Sequence, residues 1–126
     1  MIVLRLAAGG RIAVNPEDVV AAQPSVWGTV INLASTGDGF EVEHTVEDLR
    51  KRLKGLNLMA GETAINPNLL ASIYEINSVL HFKMKGGLEM RQTGVDIDHF
   101  LDAIAQVDAH AAGDGAEATS RGNAKA

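Results

Sequence analysis

An α+β fold is predicted, built from two tandem copies that are rich in β-hairpins and each end in a helix, related by a pseudo-twofold around a single core. Three observations predict it. Residues 12–16, Ile-Ala-Val-Asn-Pro, recur as Thr-Ala-Ile-Asn-Pro at residues 63–67, an offset of 51 (67 − 16 = 51). Short runs alternate apolar and polar residues between glycines, which is the period of half-buried strands. Each half then closes on apolar residues at helical spacing: Val46, Leu49 and Leu53 in one, Ile97, Phe100 and Ile104 in the other.

The elements follow in order. Ile2, Leu4 and Leu6 alternate with Val3 and Arg5, so the chain opens on a strand. Residues 7–10, Ala-Ala-Gly-Gly, turn it, and residues 11–14 return. Asn15-Pro16-Glu17-Asp18 is turn chemistry, since proline fixes φ and Asn and Asp bond their own backbone. Residues 19–23 read as a short strand or one helical turn. Residues 27–33 are β-branched and apolar, hence a strand, and residues 35–39 form a hairpin loop from which residues 40–44 return. In the second copy residues 79–84 and 88–92 repeat that hairpin around Lys85-Gly86-Gly87, with a turn three residues shorter.

Thr45 is placed to N-cap the first helix, with Asp48 three residues on. Acids Glu47 and Asp48 fall in its first turn and bases at 50, 51, 52 and 54 near its end, the order the helix dipole favours, and Gly55 stops it. The second helix opens near Asp96 or Asp98. The repeats are therefore bounded at 1–55 and 56–111, sharing one globular domain. Residues 112–126 hold no large apolar side chain, cannot offset their ordering entropy, and are expected to be a disordered tail.

The chain of 126 residues carries 11 Lys+Arg against 16 Asp+Glu, a net charge of −5, which argues against a generic nucleic-acid coat. With no cysteine it has neither disulfides nor thiolate sites. No apolar run approaches the ~20 residues of a membrane helix, so no membrane association and a cytoplasmic location are expected. Asp96, Asp98 and His99 lie close together, but acids belong at a helix start and no second ligand cluster exists. The serines lack a nucleophile elbow, and Glu41 and Glu43 share a solvent face where no carboxyl is desolvated enough to act as an acid. No catalytic, metal or cofactor site is expected.

Two surfaces stand out. Alternation puts His81, Lys83, Lys85, Glu89 and Arg91 on the outward face of the second hairpin. The first hairpin offers Val30, Glu41 and Glu43 there, without a base. A basic face and an acidic one on the same molecule permit a head-to-tail homo-oligomer, with Trp27 and Val30 supplying apolar contact. The second surface is the basic run Arg50, Lys51, Arg52 and Lys54, which makes the middle of the chain net positive.

Each copy resembles the small FlbD family, associated with flagellar and swarming motility. The likeness lies in a short strand, a glycine turn, Val14-Asn15-Pro16-Glu17-Asp18-Val19, a hairpin, and the Thr45-Val46-Glu47-Asp48-Leu49 helix start, with Ile65-Asn66-Pro67-Asn68-Leu69-Leu70 in the second copy. Residues 10–107 together also resemble a LytTR-type DNA-binding domain in element order. That family carries a His-Arg-Ser stretch before the second-copy strand, and it contacts DNA. Here the matching stretch is Met59-Ala60-Gly61-Glu62-Thr63, with an acid and no base, while Arg91 matches an arginine of the last hairpin. The resemblances imply two functions. One is a non-catalytic protein-interaction, assembly or motility-accessory module whose partner is a protein, a second copy of the chain included. The alternative is a LytTR-like transcriptional regulator that binds DNA. The missing basic motif and the net charge favour the first.

Overall fold

The computed structural model describes the backbone of residues 1–115 and the side chains of residues 1–106. It is a mixed α+β fold with ten strands in three antiparallel sheets and two helices. β1 (Ile2–Arg5) and β2 (Arg11–Val14) form a hairpin. A 3-10 turn, Pro16–Asp18, leads into β3 (Val19–Ser25), β4 (Gly28–Leu33) and β5 (Gly39–Val42), and α1 (Val46–Arg52) follows. The same order then recurs: β6 (Leu58–Ala60), β7 (Thr63–Ile65), a 3-10 turn at Pro67–Leu69, β8 (Leu70–Ile76), β9 (Val79–Met84), β10 (Glu89–Thr93) and α2 (Ile97–Gly115).

Local chemistry explains the joints. Asn15 and Asn66 each accept a backbone N–H from the residue two further on, at 3.0 Å, and the proline that follows each asparagine opens the turn. Residues 19–23 are strand rather than helix, because the turn has already closed at Asp18. Thr45 caps α1 through the Asp48 N–H at 3.0 Å, as the sequence predicts, and Asp96 does the same for α2 through the Asp98 N–H.

The halves are joined by strand pairing. β7 adds to β3, giving a five-stranded sheet in the order β5-β4-β3-β7-β6, with β10-β9-β8 as a separate sheet. Among the described residues β8 pairs with β9 alone and β2 with β1 alone, so the equivalent pairing between β8 and β2 is not made there. A twofold relating the halves would require both.

The expected single core is instead two clusters that share β3. Val19 and Ala22 pack with Ile31, Leu49 and Leu53; Val20 and Ala21 pack with Leu80, Phe82 and Phe100. A bulge between Val19 and Ala21 makes this possible, because it breaks the strict alternation of faces and lets four consecutive buried residues serve both sides. Leu49 and Phe100 are buried anchors of the two helices, and Phe100 meets Phe82 edge to face at 5.1 Å. Of the expected tail, residues 112–115 belong to α2; residues 116–126 lie outside the described residues.

Candidate interaction surface

The outward face of the β8-β9-β10 sheet is set by its register. Glu89, Lys83 and Ser72 form one cross-strand row, and Arg91, His81 and Tyr74 the next. On β9, His81 and Lys83 alternate with the buried Leu80, Phe82 and Met84; on β10, exposed Glu89 and Arg91 alternate with the half-buried Met90 and Gln92. Lys83 faces Glu89 directly across the ladder, so this row is locally balanced rather than basic. Tyr74 was not legible as part of the surface; it stacks on His81 with ring centroids 4.7 Å apart and planes 4° from parallel. Lys85 is exposed and stands one residue past the end of β9, at the start of the following turn, its N–H donating to the Leu69 carbonyl at 2.8 Å. That turn presses against the first hairpin: a Cβ on Gly86 would meet the Ala34 backbone at 2.7 Å.

A second surface lies at the β3–β4 tip. Val26 is 87% exposed and Trp27 75%. The tip is held from beneath, since the Trp27 N–H donates to Glu41 Oε2 at 3.3 Å and a Cβ on Gly28 would run into the Val42 carbonyl oxygen. Glu41 stands opposite Val30 in the ladder, next to the turn it clamps. Glu43 is exposed, and its N–H donates to the Arg5 carbonyl at 2.9 Å. Trp27, Val30 and Glu41 are thus brought together at one end of the first hairpin.

The basic run divides on α1. Arg52 Nε reaches Asp48 Oδ2 at 3.2 Å, and Arg50 Nε donates to the Leu56 carbonyl at 3.1 Å, while Lys51 and Lys54 stand exposed. Asp48 also takes the Nδ1–H of buried His44 at 2.9 Å, leaving His44 Nε2 to accept the Arg5 N–H at 3.2 Å. The Asp48 carboxyl titrates below its ordinary range, chiefly through the His44 hydrogen bond; partial desolvation opposes this, and the Arg52 charge adds to it. His44, which the sequence shows only as one of four scattered histidines, therefore clips β1 to the start of α1.

Arg50 and Arg91 line two adjoining grooves of about 490 and 510 Å³ that have Pro24 and Glu62 in common. Residues 59–63 form much of their wall, and Glu62 contributes an acid to both, beside Arg50 in one and Arg91 in the other. Lys83 and the α1 lysines do not line either groove. Among the described residues no group of three His, Asp or Glu is arranged to hold a metal, and no helix is long and apolar enough to cross a membrane. No family model, curated protein or solved structure matches the chain.

Proposed function

We propose that the chain is a non-catalytic protein-interaction or assembly module of the cytoplasm, formed by duplication of one FlbD-like unit, with the motility-accessory role that this resemblance implies. The Val26-Trp27 tip carries the reading. A tryptophan left mostly in solvent contributes little to folding, and here its main chain is held by a hydrogen bond to Glu41, so the turn that presents the indole need not be ordered when a partner covers it. The partner is a protein. The alternative, a LytTR-like DNA-binding regulator, draws on one observation: the His81–Tyr74 stack flanked by Arg91 on an open sheet face, an aromatic platform beside a cation of the kind that holds nucleic acid. Against it stand Glu62, which lines both the Arg50 and the Arg91 groove, and the net charge of −5.

Two measurements test the choice. A photo-reactive phenylalanine analogue in place of Trp27 should cross-link to protein in cells. Labelled mixed-sequence duplex should show no polarisation change at about 50 mM salt. Duplex binding that fades by about 200 mM salt, with a slope that falls by about 0.9 when Lys83, Lys85 or Arg91 is neutralised, would give the function to the alternative.

A further inference from the structure

We infer that the chain pairs head to tail with a second copy of itself by strand addition, the open edge of β8 in one copy taking the open edge of β2 in the next. This goes beyond the interaction-module reading, which rests on the Trp27 tip.

The pattern for the contact lies inside the chain. In the β3–β7 joint Ala21 stands opposite Ile65 and Ala22 opposite Ala64, and the Asn66 N–H donates to the Val20 carbonyl at 2.9 Å. β8 occupies the place of β3 one offset later, and β2 that of β7 one offset earlier, within the recurring Ala-x-Asn-Pro sequence. A bulge often guards an edge strand against pairing. Here β3 and β8 carry the same bulge, between Val19 and Ala21 and between Leu70 and Ser72, and β3 pairs with β7 in spite of it.

Burial differs between the closed joint and the open ends at the positions that pair. Ala64 and Asn66 are buried, while their counterparts Ala13 and Asn15 are exposed. Val20 and Ala21 are buried, while Ala71 and Ser72 are exposed. The apolar residues behind the open ends are only half covered. Ile73 and Ile104 are half-buried where Ala22 and Leu53 are fully buried, and Ile2 and Leu33 are half-buried where Leu58 and Met84 are buried. Each end is therefore a joint that lacks its other side, and the missing side of each is displayed by the opposite end.

Carrying the β3–β7 register across sets Ser72 opposite Val14 of the second copy and Ile73 opposite Ala13. Two positions further on, Glu75 falls opposite Arg11, a cross-strand pair of opposite charge. The contact is heterologous, so every added copy leaves one free end of each kind, and assembly runs on or closes as a ring.

Blocking the ends one at a time tests this. Ala71→Glu and Ala13→Glu each place a carboxylate where the free chain is exposed and the contact is buried, so the monomer fold and its thermal transition should be unchanged. Sedimentation of the parent should give an average mass that climbs past the dimer from low to high micromolar concentration. Each variant alone should remain a monomer, and an equimolar mixture should stop at the dimer, because only one intact pair of ends remains. Ala71→Ser and Ala13→Ser should assemble like the parent, and Ala71→Lys and Ala13→Lys should block like the glutamates. A parent that stays monomeric at high micromolar concentration, a charged variant that assembles like the parent, or a mixture that fails to associate would overturn the inference. Cross-linking from position 27 that survives such a result would leave the interaction-module reading standing; its loss as well would remove both.

Discussion

Replacing Leu49 with alanine should destabilise the protein by about 3 kcal/mol. Leu49 is fully buried, and α1 lies against both β3 and β7, so its side chain sits over the strand joint between the two halves. The change removes about three carbons, each worth about 0.8 kcal/mol on burial, or about 2.4 kcal/mol of transfer free energy. The cavity adds to this. α1 cannot slide inward to fill it, being fixed at its start by the Thr45 cap and the His44–Asp48 bond and at its end by buried Leu53. A total of about 3–4 kcal/mol lies within the ~2–5 kcal/mol range for buried leucine truncations. Urea unfolding followed by far-UV circular dichroism should show a lower midpoint with an unchanged slope and a single transition, since the joint serves both clusters. The melting temperature should fall by about 10 °C. A loss under about 1 kcal/mol, or two separate transitions, would refute the placement of α1 over the joint.

Other outcomes follow from the same geometry. His44→Leu should cost about 1–3 kcal/mol by orphaning the Arg5 N–H and freeing Asp48, read by chemical denaturation. Because the Asp48 carboxyl titrates below its unfolded value, its contribution is full above the ordinary carboxylate range and is lost as pH falls through the lowered value; Asp48→Asn should flatten that part of the acid limb in urea titrations below about pH 4. Gly28→Ala drives a Cβ onto the Val42 carbonyl and should lower thermal stability by several degrees more than Gly9→Ala, whose Cβ meets nothing within 4 Å. A double-mutant cycle on Phe82 and Phe100 should return about 0.5–1.5 kcal/mol of coupling, measured by denaturant unfolding.

The hairpins and helix starts were legible because their signals are local. Period-two alternation placed His81, Lys83 and Arg91 outward, and Thr45 announced its cap. The joint was not legible. Ala21, Ala22 and Ala64 carry too little hydrophobicity to mark a face, and the bulge at Val20 removes the alternation that would expose a strand buried on both sides. For the same reason the aromatic partner of His81 was missed, since Tyr74 becomes its neighbour only once β8 and β9 pair. His44 gave no signal because its two partners, the Arg5 N–H and the Asp48 carboxylate, are a backbone group far away in sequence and an acid that also suited the helix dipole. Alternation shows Glu41 only as an outward charge; its bond to the Trp27 N–H depends on the turn at residues 26–27, which carries no periodic signal.

Amide hydrogen exchange at two protein concentrations tests the central claim most directly, because it reads the closed joint and the open ends in one experiment. The Ala22 amide, at the β3–β7 pairing, should be protected at every concentration. The Ile73 amide, its counterpart on the free edge of β8, should exchange quickly in dilute protein and slow markedly at high micromolar concentration, together with Ala13 on β2. Fast exchange at Ala22 would contradict the strand joint on which the account is built, and protection at Ile73 and Ala13 that does not change with concentration would contradict the pairing of one copy with the next.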